Sequence, residues 1–553
     1  MSSEDRNIIK ELERHRSSMR NEYESWEPHF RELRDAIQPS RGRFSLGESR
    51  SSSTLNKRLI DATARRGLRT LRSGLMAGMT SPSRPWFVLS LYDEEAKENP
   101  EVKAWLHTVQ SRMYTVIRGT NTYRMLDACY ADLGLFGTFA GLMSQDYELV
   151  FKCQSFPIGL YLISDNEDQL VDVLHWDRRM TVRQCVNEFG FEQCSTRVQN
   201  QYKAGNHSEY VDIRCAIEPR ENHVPGSPLN SEKPFAVYAW EQGQTDKLLQ
   251  NGGRVINGLL APRWEVIQGE SWSISSPGME ALGDALQLQE QHKDKAMANK
   301  LAYDPPMQAP AQNLALGYKA IPGRVIKISS SDIQKGGLRP THEVRPDISG
   351  LVLDIQETQQ RIEAAFYVDL FRMASQFGVE GLKNVTATAM AEMHEEKLIA
   401  LGPVLEGLDH GLLTPLIENV FHYMQEARII PPAPESLIGA PIKVEFVSLL
   451  AQAQKAVGIS AIERTIGFVG TLAQLKPEAL LKLNAFEAID EFVDQAGPPP
   501  KMIVTTEEAQ KQAAQQAQAA QMQQAMEQVQ PMANAAKLIS EANARSVEAS
   551  DTL

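Results

Sequence analysis

Between Pro277 and Arg428 the chain is punctuated in an order that few folds accommodate. A polar helical stretch, PGMEALGDALQLQEQHKDKAMANKLAY (Pro277 to Tyr303), runs into an insert studded with Pro305, Pro306, Pro310, Pro322, Pro340 and Pro346. A second helical stretch, GLVLDIQETQQRIEAAFYVDLF (Gly350 to Phe371), leads back out of it. A short loop with Gly378 and Gly381 follows, and then the segment VTATAMAEMHEEKLIALGPVLEGL. Proline removes a backbone donor and clashes with the preceding turn, so neither helix continues through the insert. Two helices joined by a small module at one end and a glycine loop at the other make a stalk with a head, not a catalytic cleft.

The 553 residues are too many for one hydrophobic core, so more than one domain is expected. No apolar run approaches the ~20 residues needed to span a bilayer. The longest, Leu133 to Met143, is interrupted by glycines and reads as core. The start MSSEDRNIIKELERH lacks the apolar stretch of a secretory signal, so the chain is expected to stay where it is made. Cys129, Cys153, Cys185, Cys194 and Cys215 form no CxxC pair, which favours reduced thiols over structural zinc. A net charge of -13 argues against a protein that grips nucleic acid over its whole surface. Charge is uneven, however. Arg41, Arg43, Arg50, Lys57, Arg58, Arg65, Arg66, Arg69, Arg72 and Arg84 face only Glu48 and Asp61. A solvated or subunit-facing helix accounts for that run, and contact with phosphate or an acidic neighbouring subunit is the alternative.

Apolar residues recur at helical spacing over residues 4–38, where Pro28 is a potential break and Pro39 a natural end. A second helix is expected over LNKRLIDATARRGLRTLRSGLMAGM, whose small residues, Gly67 and Gly74 among them, permit close packing. SRPWFVLSLYD reads as a strand, and helices are expected at Pro100 to Ile117 and Tyr123 to Met143. Short apolar runs from Tyr147 to Trp176 imply two or three strands. Thr181 is placed to cap the helix VRQCVNEF, and Gly190 to end it. Tyr210 to Ile267 is again strand-rich, which makes the N-terminal half an α+β body. The strand within PPAPESLIGAPIKVEFV is expected to return to that body. Residues 448–496 form a compact helical set, and Gly497-Pro498-Pro499-Pro500 marks a boundary. Beyond it, Thr505 and Glu508 suit a capping box for an Ala/Gln-rich helix. With so thin an apolar stripe, that helix must pack against copies of itself or remain disordered.

Tests for chemistry fail. Gly317 to Gly323 has the wrong spacing for a phosphate loop, with Arg324 where Lys-Ser/Thr is required. His394-Glu395-Glu396 lacks the second histidine of a zinc helix, since Leu398 stands there, and reads as a solvated helix face. There is no GxSxG elbow, no recognisable nucleophilic cysteine and no specific pair of carboxylates. The sequence therefore points to a protein that is not an enzyme and needs no cofactor or metal.

Six strings, taken together and in order, carry a resemblance. They are RRGLRTLRSGLMAGMTSPSRPWF (Arg65 to Phe87), HWDRRMTVRQCVNEFG (His175 to Gly190), APRWEVIQGE (Ala261 to Glu270), PGMEALGD (Pro277 to Asp284), NVTATAMAEMHEEKLIALGPVLEGL (Asn384 to Leu408) and IKVEFVSLLAQAQKA (Ile442 to Ala456). With them the chain resembles the head-to-tail connector (portal) proteins of short-tailed double-stranded DNA bacteriophages. It departs at Ser271-Trp272-Ser273-Ile274, where the family usually has Tyr-Gly before the proline.

The resemblance implies an α+β, portal-like protomer. Residues 1–277 would form N-terminal helices and an α+β wing, 278–303 the first stem helix, 304–350 a small α/β clip, and 351–372 the second stem helix. Residues 373–384 would be a tunnel loop with hinges at Gly378 and Gly381. A long helix kinked at Gly402-Pro403 and a return to the wing would occupy 385–447. A helical crown (448–500) and an Ala/Gln-rich C-terminal barrel or tail (501–553) would complete it. It also implies a ring of twelve subunits at one capsid vertex of the virion, assembled in the bacterial host cytoplasm, through which double-stranded DNA is packaged and ejected. The implied partners are the terminase packaging motor, a tail adaptor and the major capsid protein, with scaffolding or internal core proteins as further candidates, and no membrane. Another virion protein, such as a tail adaptor or an internal core protein, is the alternative.

DNA in such a channel must slide. Each neutralised phosphate adds salt-dependent affinity, and a twelve-fold ring multiplies every basic residue by twelve, so a sparing set of lumen positives is expected. Lys383 is the first candidate, with Arg372, Lys293 and Lys300 behind it. For each of them a surface or inter-subunit ion pair is the alternative. Polar Gln287, Gln289, Gln291, His292, Lys293, Asp294 and Lys295 on the first stem helix fit a face that meets water.

Overall fold

The structure is a computed structural model describing residues 3–48, 59–91, 99–244, 246–303, 307–308, 339–340, 348–376, 402–434, 437, 442–446 and 469. The chain divides into units Met1–Ala451 and Gln452–Leu553, and all the described residues but Val469 belong to the first. The expected crown beyond residue 451 and the Ala/Gln-rich helix lie outside the described residues.

Helix α1 (Ser3–Ala36) runs unbroken through Pro28. An internal proline costs about 3 kcal/mol. Against this, Ile9, Leu12, Met19, Tyr23, Phe30 and Leu33 are all buried along the helix. Each contributes roughly 1.5–3 kcal/mol, so packing outweighs the missing hydrogen bond. Helix α2 (Thr63–Gly78) begins where Asp61 Oδ1 accepts a 2.6 Å hydrogen bond from the Thr63 amide. Strand β1 (Phe87–Leu91) and helix α3 (Pro100–Gly119) follow, the helix capped by the Asn99 side chain on the Glu101 amide at 3.0 Å.

The expected helix from Tyr123 to Met143 is two elements, helix α4 (Thr122–Phe136) and strand β2 (Ala140–Asp146). Gly137 separates them with φ of 71°. A Cβ at Gly137 would lie 2.7 Å from both Ser273 Oγ and the Ser275 carbonyl, so this position needs glycine for its space as well as its backbone. The apolar run that looked like one buried helix thus supplies a helix end and a buried strand.

Strand β2 pairs antiparallel with β3 (Val150–Phe156) and with β9 (Leu259–Leu260). The main sheet is an antiparallel meander of β4 (Tyr161–Asp165), β5 (Val171–Thr181), β6 (Tyr210–Pro219), β7 (Phe235–Glu241) and β8 (Gln250–Arg254). Helix α5 (Val182–Phe189) leaves β5 through a capping box between Thr181 and Gln184 and stops at Gly190, and α6 (Thr196–Lys203) is capped by Ser195. Strand β12 (Ile442–Phe446) returns to pair with β1, Phe87 opposite Phe446.

Helix α1 covers one face of the main sheet, where Ile9 and Leu12 join Ala216, Trp240 and Leu248 in one core cluster. The charged side chains Glu13, Arg16 and Glu218 at this interface each have partners, as burial demands. Glu13 accepts from Trp240 Nε1 and from Arg214, both at 2.7 Å, and Arg16 bonds Asp177 at 2.7 Å. His15 and His175 both bond Glu218. Burial raises the Glu218 carboxyl, but the two imidazoles outweigh it and hold the group at about 2. Burial also pushes the His175 imidazole down.

Trp272 falls in the Ser271–Ile274 segment and is an aromatic anchor, 1% exposed. It stacks on Tyr161 at 5.6 Å and lies 5.1 Å from Tyr23. All five cysteines are buried free thiols. No described helix is long and apolar enough to cross a membrane.

Candidate channel region

The two helices that flank the insert pack against each other, and the second of them also packs against α2. Helix α7 (Leu282–Tyr303) follows a helical turn at Pro277–Glu280, and α8 (Ile348–Ala365) runs alongside it. Between them, Met307–Gln308 (β10) pairs with Arg339–Pro340 (β11), and the rest of the insert lies outside the described residues. Ala285 and Leu288 of α7 and Ile355 and Ile362 of α8 are buried. Gln291, 7% exposed, donates to Asp354 at 2.6 Å and to Thr358 at 3.2 Å, and Arg361 bridges to Asp284 at 3.0 Å.

Asp61, just before α2, ties all three helices together. Its backbone amide donates to Gln289 at 3.1 Å and its carbonyl accepts from Gln289 at 3.0 Å. Its carboxylate lies 3.4 Å from His292 Nε2 and accepts from Gln359 at 3.2 Å. This corrects the reading of α7 as polar because it meets water for three of the residues concerned. Gln289, Gln291 and His292 serve helix packing, while Gln287, Lys293 and Asp294 are exposed.

One exposed stripe of α7 runs at alternating spacings of four and three: Leu286, Glu290, Lys293, Met297 and Lys300. Two of the expected channel lysines therefore share one solvent face. Lys293 pairs with Glu290 at 3.1 Å. On the helix pair, Asp284, Glu290, Asp294, Asp354, Glu357 and Glu363 outnumber Lys293, Lys295, Lys300 and Arg361. The stalk carries no positive excess that would hold DNA fast.

The second stem helix was expected to be continuous to residue 372. It breaks at Tyr367, whose φ is 52°, and resumes as α9 (Val368–Gln376). A left-handed tyrosine costs roughly 1–2 kcal/mol, and the packing on either side accounts for it. Phe366, fully buried, presses on Gly67 of α2, where a Cβ would come within 2.7 Å of its ring. Phe371 presses on Gly74, where a Cβ would come within 2.0 Å. The break turns both rings onto the glycine face of α2. Arg372, beyond the break, is exposed and pairs with Glu363 at 3.3 Å.

Lys383, Gly378 and Gly381 lie outside the described residues. Of the expected tunnel loop at 373–384 only 373–376 is described, and it is the end of α9, not loop. Gly402 and Pro403 open a helical stretch at 402–408, and the arm that would precede their kink is also outside. The irregularity that is described comes later, in a π-helical turn at Asp409–Leu413 before α10 (Thr414–Glu426). Pro415 sits at the head of α10 and cannot donate to the preceding turn. The Thr414 amide donates to the Asp409 carbonyl, and the widened turn absorbs the mismatch while Leu412, Leu413, Leu416 and Ile417 stay buried. Burial raises the Asp409 carboxyl to about 6.

Much of the arginine run between Arg41 and Arg84 has partners inside the protomer. Arg41 bonds Asp132 at 2.5 Å, Arg72 pairs with Asp127 at 3.0 Å, and Arg43 donates to the Leu46 carbonyl at 2.8 Å. Arg50, Lys57 and Arg58 lie outside the described residues.

Comparison with known proteins decides the family. A profile described as "Bacteriophage head to tail connecting protein" matches residues 9–504. The chain belongs to that family. It is 38% identical to the portal protein of Salmonella phage epsilon15 over 542 residues, 98% of this chain and 96% of that one. It is also 38% identical to the probable portal protein of Bordetella phage BPP-1 over 510 residues, 90% of this chain and 91% of that one. Among solved structures, a chain in the virion of a gene transfer agent particle overlaps it with a TM-score of 0.32 and 11% identity. That overlap covers 82% of this chain and 99% of the other, and is too loose to bear on the fold.

Proposed function

We propose that this connector-family chain is a phage portal protein, a structural component of the virion with no catalytic role. The observation that carries the reading is near-full-length identity of 38% to the epsilon15 portal protein. Copies of the chain would form a ring, of twelve subunits, at one capsid vertex. The genome would be packaged and later ejected through its axial channel. The insert between α7 and α8 would dock the terminase motor during packaging and the tail adaptor afterwards, while the wing contacts the major capsid protein. Assembly would take place in the host cytoplasm.

In this reading α7 and α8 are the stem, and the exposed stripe with Lys293 and Lys300 faces DNA. Arg372 and Lys383 would follow near the tunnel loop. The acidic excess of the helix pair supports sliding over holding, because few phosphates are neutralised at a time. Native mass spectrometry of the purified full-length chain tests the reading. A closed ring of twelve copies is expected, and a chain that stays monomeric at micromolar concentration under packaging conditions would overturn it.

A further inference from the structure

We propose that His15, His175 and Glu218 form a binding site for one divalent transition cation of the zinc class, fastening α1 to the main sheet. His15 Nδ1 and His175 Nε2 converge on a single oxygen, Glu218 Oε1, at 2.8 and 2.7 Å. The ligand atoms of all three residues lie within 4.8 Å of one another. Two imidazoles and one carboxylate are a donor set suited to zinc, copper, iron or nickel. Magnesium and calcium prefer a fuller shell of oxygen ligands.

The fold explains why the three side chains meet. His175 on β5 is paired with Ala216 on β6, and Glu218 is two residues further along β6, so both side chains leave the same face of the sheet. Helix α1 lies on that face, and His15 stands three residues beyond Leu12, which is buried in the core cluster there.

Zinc–nitrogen and zinc–oxygen bonds of about 2.0–2.2 Å at tetrahedral angles put neighbouring ligand atoms roughly 3.3 Å apart. From 2.7–2.8 Å, each imidazole has to draw back about half an ångström from the carboxylate, a small side-chain rotation. His175 is wholly buried, and among the described residues its Nδ1 has no hydrogen-bond partner and Glu218 alone bonds that ring. A cation on Nε2 would add a far stronger bond at the same atom. His15, with 39% of its side chain exposed, leaves a route for the ion and a solvent-facing fourth position. Arg16, one of the two arginines that flank His15 in sequence, is already paired with Asp177 at 2.7 Å and does not bar a cation.

The test is titration of the untagged full-length chain with zinc chloride by calorimetry, with cobalt(II) absorption as a readout of geometry. One zinc per chain is expected, together with a tetrahedral cobalt spectrum and a melting temperature that zinc raises and EDTA lowers again. Glu218→Gln keeps the side-chain volume and His15→Ala alters a half-exposed residue. Each should weaken zinc binding by more than about 100-fold, beyond the loss usual for a supporting group around a metal. Magnesium should neither compete nor stabilise. A wild-type chain without saturable binding at micromolar zinc overturns the proposal. So do variants that bind zinc as tightly as the wild type.

Discussion

Gly74 of α2 lies so close to the ring of Phe371 that a Cβ there would sit 2.0 Å from Cδ1. Seven residues earlier Gly67 meets Phe366 in the same way, and the two glycines form sockets for the rings on either side of the Tyr367 break. Replacing a helical glycine by alanine ordinarily adds about 1 kcal/mol of helix stability. Here overpacking wins. Gly74→Ala should destabilise the protein by roughly 1–3 kcal/mol, read as a lower denaturant midpoint. Pairing it with Phe371→Ala should recover part of that loss, because the clash is removed with the ring.

Arg263 joins the loop around Trp272 to the main sheet. Its side chain, 4% exposed, bonds Asp165 at 3.1 Å and the Ser271 carbonyl at 3.1 Å. Arg263→Met leaves a carboxylate and carbonyls without their cation, at a cost of about 3–5 kcal/mol. Arg263→Lys should not rescue it, since an ammonium cannot reproduce the guanidinium fork. Equilibrium unfolding of the two variants side by side checks both statements.

Thr181 and Gln184 form a reciprocal capping box at the head of α5. Thr181→Ala should cost about 1 kcal/mol and Thr181→Ser almost none, because only the hydroxyl is needed. Hydrogen exchange of the Gln184 amide would show the loss locally.

Asp409 gives a pH dependence of known sign. Burial raises its folded-state value to about 6, above the ordinary 3.8. The folded protein therefore favours the neutral acid, and ionisation costs stability as pH rises from about 4 to about 6. Asp409→Asn should stabilise the protein at pH 7 by roughly 1 kcal/mol once solvent screening is discounted. It should change little below about pH 3, where the carboxyl is largely protonated in both states of the wild type. Melting temperatures of both proteins across that range test the sign.

For the channel, Lys383→Ala is expected to leave ring assembly intact and alter DNA packaging or retention, with a smaller effect from Lys293→Ala combined with Lys300→Ala. Particles built only from the mutant chains can be assayed for packaged DNA length and for leakage. Wild-type behaviour in both would reject these residues as DNA contacts.

Local signals were legible in the sequence. Thr181 and Gly190 bracket α5 through capping chemistry that acts within a few residues. The β-branched and aromatic run after Pro85 marks β1 for the same reason. What was misread depended on distant partners. Pro28 looked like a break because the burial that offsets it comes from distant partners, the main sheet and Trp272 among them. Gly137 ends α4 where Ser273 and Ser275, far along the chain, approach it. Gln289 and His292 of α7 looked wet because Asp61, their partner, lies more than two hundred residues earlier. In the candidate channel region, the helix that carries Lys293 and Lys300 was legible, and the Tyr367 break and the π turn before Pro415 were not. The Tyr367 break is set by packing on Gly67 and Gly74, distant in sequence. The π turn answers Pro415, a local feature whose effect depends on keeping Leu412, Leu413, Leu416 and Ile417 buried.

Cryo-electron microscopy of the purified full-length protein tests the central claim most directly. A closed ring with an axial channel is expected, with α7 and α8 forming its stem and Lys293 and Lys300 turned toward the lumen. Monomers, open filaments, or a ring whose channel is lined by other elements would contradict it.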